Sequence, residues 1–126
     1  KPLMLAFALL LMGTLDAVVA PAPQVAADTG TSAQVAAGKG LFAVSCSSCR
    51  GLNGEGTSQG PSLVGVGAAA VDFQVTTGRM PMAAPGAQAP RKHNTMTREE
   101  TDPLAAWVAT LGPGPALPPK AHARRR

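Results

Sequence analysis

The pattern of apolar and polar positions first becomes helical at residues 34–43. The large apolar side chains available to pack there are Val35, Leu41 and Phe42. We expect Ser32 to be the N-cap, because a serine hydroxyl accepts a hydrogen bond from the free amides that begin a helix. Gly38 and Gly40 lower the helical propensity of the segment, and they also let another helix approach its backbone closely.

Loops rich in glycine and proline surround a second, shorter helix. Residues 51–67 contain six glycines and predict a loop. Residues 68–77 predict a short helix that Gly78 ends. Residues 79–92 contain three prolines, which exclude a long helix in that stretch.

The last helix has two possible starts. Thr97 and Glu100 have the spacing of a capping box, with Thr97 as the N-cap. Alternatively Asp102 is the N-cap and Pro103 takes the first helical position. Both starts give one apolar face at helical spacing, formed by Leu104, Trp107, Val108 and Leu111. The glycines and prolines of residues 112–115 end this helix.

Residues 1–20 predict a signal or membrane-anchor segment. Residues 3–15 form an apolar run of thirteen residues interrupted only by Gly13 and Thr14. This length suits the apolar core of a secretory signal better than a full membrane span; a truncated N-terminal anchor is the alternative. The Ala/Pro-rich linker at residues 21–30 argues against a buried core helix. We therefore expect the domain to lie on the extracytoplasmic face of the cell membrane.

The composition limits the core that residues 31–117 can build. The chain of 126 residues contains 24 alanines and no Ile or Tyr, and Gly and Pro together make up 26 residues. Past residue 30 only 19 Val, Leu, Met, Phe and Trp side chains occur. A domain this small with so few large apolar groups is marginally stable without a disulfide, a metal or a cofactor.

The net charge of +4 is a property of the end of the chain. Four residues supply it: Lys120, Arg124, Arg125 and Arg126. Residues 1–119 hold seven basic and seven acidic residues and sum to zero. The aromatic side chains expected for binding single-stranded nucleic acid are also missing. We expect residues 118–126 to be a disordered basic tail, and we expect no nucleic-acid partner.

Cys46 and Cys49 follow the first predicted helix and open the glycine-rich loop. Two cysteines at this spacing fit a covalent haem site of the C-x-x-C-H type, a thioredoxin-like redox pair, a structural disulfide of an exported protein, or half of a zinc site completed by His93 or His122. A redox pair needs a strand–helix–strand context, and the pattern shows none. The spacing alone does not choose among the four.

Met80 offers a thioether in a constrained loop, between Arg79 and Pro81. A methionine axial ligand raises the reduction potential of a haem iron and suits electron transfer. Methionines more often fill cores. Met80 and Met82, however, lie in a proline-rich loop rather than on the apolar stripe of a helix.

The order of these features resembles a class I cytochrome c domain. Six short segments resemble more specifically the dihaem cytochrome c subunit of the quinol–cytochrome c oxidoreductase (bcc complex) of high-GC Gram-positive bacteria. They are residues 38–42 (GKGLF), 44–49 (VSCSSC), 51–54 (GLNG), 60–63 (GPSL), 77–81 (TGRMP) and 86–92 (GAQAPRK). The resemblance covers roughly residues 37–118, and the GAQAPRK stretch is not a general feature of cytochromes.

This resemblance implies an all-α fold and a role for particular side chains. Cys46 and Cys49 would carry the thioethers of one covalent haem c, and Met80 would be the distal iron ligand. The remaining implied roles belong to Phe42 and Leu63 as walls of the haem, Pro61 as the carbonyl that orients the proximal histidine, and Trp107 as a packing partner of the first helix.

The sequence departs from the family pattern at the residue after the second cysteine. Arg50 stands where the family has its proximal histidine, and a guanidinium has no lone pair for iron. Three accounts stay open: a degenerate site, a mutation or sequence error, and ligation by His93. The family also continues into a second haem domain and a C-terminal membrane helix, so we expect at most one haem here.

The function that the resemblance implies is one-electron transfer within a respiratory quinol–cytochrome c oxidoreductase. The domain would be an electron carrier rather than a catalyst by itself. Its partners would be other subunits of the complex, a cytochrome or oxidase, and the membrane through the N-terminus. The alternative is a haem-free exported helical module in which Cys46 and Cys49 form a disulfide or stay thiols. A thiol-redox enzyme is a weaker third hypothesis.

Overall fold

The computed structural model describes residues 30–118, which form four helices. They are α1 (Ser32–Ser45), α2 (Ser47–Arg50), α3 (Ala68–Thr76) and α4 (Arg98–Ala109). Within these residues no strand forms, and one isolated antiparallel bridge joins Thr57 and Gly60. The expectation of a mostly helical domain is confirmed for this part of the chain.

The predictions for the two ends of the chain lie outside the described residues. These are the signal or anchor at residues 1–20, nearly all of the linker at residues 21–30, and the basic tail at residues 118–126 apart from its first residue. Among residues 30–118, no helix has both the length and the apolar character needed to cross a membrane.

Helix α1 begins one residue earlier than the predicted Ser32 cap would place it. The Thr31 hydroxyl accepts a hydrogen bond from the Gln34 amide at 3.3 Å, so Thr31 is the N-cap. Ser32 is the first helical residue, and its prediction as the N-cap is wrong. Two adjacent hydroxyl residues offer equivalent caps, and only the backbone conformation decides between them.

Helix α4 uses the first of its two predicted starts. The Thr97 hydroxyl accepts from the Glu100 amide at 3.3 Å, and the Glu100 carboxylate accepts from the Thr97 amide at 2.8 Å. This reciprocal capping box satisfies two amides that would otherwise lack partners. Asp102 is therefore not the N-cap, and Pro103 lies inside the helix rather than at its first position.

Helices α1 and α4 cross in close contact at a glycine. A Cβ atom added to Gly38 would stand 1.9 Å from the Pro103 carbonyl oxygen, so only glycine fits at this crossing. One turn along, the rings of Phe42 and Trp107 have centroids 4.3 Å apart and are tilted by 41°. The expected packing of Trp107 against the first helix is confirmed.

The core lies where α1 and α3 pack on α4. Its buried hydrophobic residues are Phe42, Ala68, Val71, Val75, Leu104, Ala105, Ala106, Trp107 and Val108. An ion pair between Arg98 and Asp72 ties the start of α4 to α3. Residues of α1, α3 and α4 also line a cavity next to this core.

Candidate functional site

A cavity among the described residues has a volume of about 260 Å³ and a mostly apolar wall. It is bounded by the end of α1, by α2, by the loop that follows α2, by α3 and α4, and by the segment around Met80. All of the site residues predicted from the sequence line it: Phe42, Cys46, Cys49, Pro61, Leu63 and Met80. The fold thus brings these six side chains together from three separate stretches of the chain.

The two thiols enter the cavity from a single helical turn. Cys46 ends α1, where its amide donates to the Phe42 carbonyl at 2.9 Å, and Cys49 lies within α2. Both cysteines are free and partly buried. Residues three apart on a helical turn share one side. The three-residue spacing of the two cysteines therefore puts both thiols on the same side of this turn.

Burial raises the pKa of the Cys46 thiol above its ordinary value of 9.0. The Arg50 guanidinium works in the opposite direction but more weakly, and the Cys49 thiol adds to the rise. Cys46 is consequently a neutral thiol at physiological pH. It is ready to form a covalent bond only when a reaction partner or a catalyst activates it.

Arg50 faces the cavity from the end of α2. Its guanidinium donates to the Pro61 carbonyl oxygen at 2.8 Å across eleven positions of the chain. The Pro61 carbonyl is the group that the sequence predicts to orient a proximal histidine. Arg50 therefore supplies the hydrogen bond expected of that histidine, and it supplies no lone pair.

The loop after α2 is held against the thiol wall by short hydrogen bonds. The Thr57 hydroxyl donates to the Cys49 carbonyl at 2.8 Å, and the Gly56 amide donates to the Arg50 carbonyl at 2.7 Å. The Leu63 amide donates to the Gly54 carbonyl at 2.7 Å. These bonds place Leu63 against the core, where it is partly buried.

Met80 is held against α3 by backbone hydrogen bonds. The Gly78 amide donates to the Val75 carbonyl at 2.9 Å, and the Met80 amide donates to the Gln74 carbonyl at 3.0 Å. Met80 is partly buried and packs on the core. Met82 also lines the cavity, so a second thioether lies near the first.

Two residues of the site have no role in the sequence prediction. The Lys92 ammonium donates to the carbonyls of Gly78 and Pro81. Gln74 lines the cavity, and its side-chain oxygen is buried without a hydrogen-bond partner. The only signal for Lys92 in the sequence is its place in the GAQAPRK stretch, and Gln74 carries no signal.

His93 does not join the cavity, although ligation by His93 is one account of the missing proximal ligand. It is exposed, and it is not among the residues that line the wall. Within residues 30–118, no three His, Cys, Asp or Glu side chains cluster closely enough to hold a metal ion. Half of a zinc site is therefore not completed in this part of the chain, and His122 lies outside it.

A family model for cytochrome c matches residues 35–112, which include both thiols, Met80 and Trp107. The chain belongs to the cytochrome c family. Cys46 and Cys49 both line the cavity of this cytochrome c domain. Membership of the family implies covalently attached haem c.

Curated relatives extend this assignment to a particular kind of cytochrome c. The "Cytochrome bc1 complex cytochrome c subunit" of Mycobacterium tuberculosis is 49% identical over 116 residues, which are 90% of this chain and 41% of the relative. The subunit of the same name from Mycobacterium leprae is 47% identical over 91% of the chain and 40% of the relative. That of Corynebacterium efficiens is 46% identical over 83% of the chain and 36% of the relative. The chain spans about two fifths of the length of these relatives.

The residues of the cavity fit part of a haem c site. Two free thiols, a mostly apolar wall and the Met80 thioether suit an apolar ring that is attached through sulfur and has one sulfur ligand on its iron. The unpaired Gln74 oxygen shows that the cavity wall has hydrogen-bonding capacity that its own side chains do not satisfy. Arg50 does not fit as an iron ligand, because a guanidinium offers only hydrogen-bond donors and no lone pair.

Proposed function

We propose that the chain carries one covalent haem c and transfers single electrons as part of the cytochrome c subunit of a respiratory quinol–cytochrome c oxidoreductase. The observation that carries this proposal is the convergence of Cys46, Cys49 and Met80 on one apolar cavity in a cytochrome c domain. The similarity to subunits named for the cytochrome bc1 complex supports the respiratory assignment. The bound haem would supply a one-electron couple at its iron.

The chain's own residues would attach, enclose and tune that group. Cys46 and Cys49 would form the thioether bonds, and Met80 would be the axial ligand. Phe42 and Leu63 would exclude water from the ring, which in turn shifts the balance between the charge states of the iron. The domain would be an electron carrier rather than a catalyst by itself.

Arg50 would support the cavity without ligating the iron. Its hydrogen bond to the Pro61 carbonyl keeps the loop after α2 in place. The side of the ring next to Arg50 would have no protein ligand, because a guanidinium stays protonated and offers only donors.

The partners and location follow from the proposed complex. They are the other subunits of a quinol-oxidising complex and a cytochrome or oxidase that accepts the electron. The domain would lie on the extracytoplasmic face of the cell membrane, attached through the N-terminal segment at residues 1–20.

The proposal is tested by making the full chain in cells that contain the machinery for attaching haem c. We expect a mass increase of one haem and a reduced absorption spectrum with an α-band. Arg50→His should raise the fraction loaded and strengthen the low-spin spectrum, because it returns the missing lone pair. Arg91→His adds a histidine at an exposed position outside the cavity wall. This control should change neither the fraction loaded nor the low-spin spectrum.

The contradicting result is also defined. If neither the chain nor Arg50→His gains mass under conditions that load an intact relative, the haem assignment is wrong for this cavity. The haem-free module with a disulfide or two thiols then describes the protein, and counting thiols with a mass-labelled alkylating agent separates those two states.

A further inference from the structure

Lys92 contacts the chain on both sides of Met80. Its ammonium donates to the Gly78 carbonyl at 2.6 Å and to the Pro81 carbonyl at 2.5 Å. An ammonium has three N–H donors, so one group can bind two carbonyls at once. Hydrogen bonds from a charged donor are shorter and stronger than neutral ones. We call this pair of hydrogen bonds the Lys92 clamp.

The clamp completes a set of restraints on the Met80 segment. On the side of α3, the Gly78 and Met80 amides are bound to the Val75 and Gln74 carbonyls. These bonds hold two amide donors of the segment, and the Lys92 clamp holds two of its carbonyl acceptors. Hydrogen bonds therefore hold the Met80 backbone on two sides. They fix the point from which the Met80 side chain extends into the cavity wall.

The backbone of Lys92 is itself placed by close packing. Gly78 has φ of +70°, and a Cβ atom added there would stand 2.0 Å from the Lys92 carbonyl oxygen. The stretch that contains Lys92 thus lies directly against the turn that precedes Met80. A long side chain anchored this closely loses less freedom on binding than one that reaches across solvent.

The other basic residue of the same stretch is a natural control. Arg91 is exposed, and the two hydrogen bonds to the Met80 segment come from Lys92 alone. The two residues are adjacent and carry the same charge. A difference between their variants therefore reports the clamp rather than the loss of a positive charge near the cavity.

We propose that Lys92 is a positioning residue that holds the Met80 sulfur in place for the bound group. This inference rests on the proposed function, since it assigns Met80 as the axial ligand. A thioether ligand favours the reduced iron. Loosening the segment weakens that preference and lowers the reduction potential.

Two measurements on Lys92→Ala, Arg91→Ala and the unchanged full chain test the clamp. The first is hydrogen exchange at the Met80 amide, which we expect to speed up on the order of tenfold in Lys92→Ala, since a hydrogen bond to a charged group is lost. The second is the midpoint potential of the haem-loaded proteins. A tenfold loss of the preference for the reduced state corresponds to a fall of about 59 mV for one electron. Arg91→Ala should match the unchanged chain in both measurements.

The outcomes are separable. Equal exchange and equal potentials in the two alanine variants overturn the clamp, as does a loss of protection in α1 as large as the loss at Met80, which would mean a general structural role. Lys92→Arg keeps a cation with several donors and should recover part of both effects. If neither the unchanged chain nor Arg50→His takes up haem, the proposed function fails, and the exchange rates still decide whether Lys92 holds the Met80 segment.

Discussion

A proximal histidine at position 50 would have two roles, and the Arg50 side chain can perform only one of them. A histidine donates from one ring nitrogen and offers a lone pair from the other. The Arg50 guanidinium performs the first task on the Pro61 carbonyl at 2.8 Å and cannot perform the second. The hydrogen bond to the loop is thus present at position 50 without a lone pair that iron could accept. Arg50→His is for this reason the most informative single substitution in the chain.

The raised pKa of Cys46 predicts a particular dependence of stability on pH. Its contribution is fully present below the ordinary thiol pKa of 9.0 and is lost as the pH rises through the higher pKa of the folded state. The haem-free, reduced chain should therefore lose stability above about pH 9 more steeply than Cys46→Ala does. Urea denaturation between pH 7 and pH 10.5 measures this difference, and parallel curves for the two proteins would contradict it.

Among the helices, the crossing of α1 and α4 decides how closely the core can pack. Gly38 faces the Pro103 carbonyl with no space for a methyl group, whereas a Cβ atom added to Gly40 meets nothing within 4 Å. The two glycines lie in the same helix two positions apart. Replacing one or the other by alanine should therefore change stability in opposite directions.

Gly38→Ala should destabilise the domain by about 1–3 kcal/mol, because overpacking forces the helices apart. Gly40→Ala should instead stabilise it by up to about 1 kcal/mol, since alanine has the higher helical propensity and space is available. Thermal unfolding of the two variants beside the parent is the measurement. Equal effects of the two substitutions would show that the crossing is not tight.

The capping box of α4 makes a second prediction for a helix end. Thr97→Ala removes the hydroxyl that accepts from the Glu100 amide and should cost about 1 kcal/mol of stability. Thr95→Ala, at an exposed position two residues earlier, should change stability little. Chemical denaturation followed by helical circular dichroism compares the two. A loss in Thr95→Ala equal to that in Thr97→Ala would rule out the cap as the cause.

The helices were predictable from the sequence and their ends only in part. The apolar spacing and Gly78 located α3 to within one residue, ending at Thr76 rather than Thr77. The sequence leaves the start of α4 open, because Thr97 and Asp102 are both good caps and the choice depends on packing. The sequence does not predict the single turn α2, since four residues are too few to show a helical period.

At the scale of the molecule, the cavity bears on how so few large side chains are arranged in one domain. Within residues 30–118 the buried core contains five Val, Leu or aromatic residues besides Trp107, and all five also line the cavity. An apolar group bound in the cavity would cover the surfaces of these side chains that face the cavity. Binding to the folded state alone raises stability.

Haem loading should therefore raise the unfolding temperature by at least about 10 °C, since a gain of a few kcal/mol shifts a domain of this size by that much. The comparison protein is the Cys46→Ala, Cys49→Ala double variant made in the same cells, which cannot form the thioethers. Calorimetry of the two proteins measures the shift. Equal unfolding temperatures, with haem present in the parent, would show that the occupant adds no stability.

The site could be predicted as a set of residues but not as a set of contacts. Short motifs identified the two cysteines and Met80, because such motifs keep their chemistry together in the chain. The bonds of Arg50 to Pro61 and of Lys92 to Gly78 join residues 11 and 14 positions apart through irregular loops. No periodicity encodes such a distance, so these contacts became visible only in three dimensions.

The spacing of contacts in the chain also sets an order of assembly for the two walls of the cavity. The bonds that fold the loop onto the thiols span 6 to 11 residues, whereas the ion pair between Asp72 and Arg98 spans 26. Loops of about ten residues close within roughly 10–100 ns, and longer closures lose more chain entropy. The wall around the thiols can therefore form early, whereas α1 and α3 complete their packing only when α4 is present. Leu104 and Val108 of α4 line the cavity, so the wall that encloses the two thiols would stay incomplete until α4 packs.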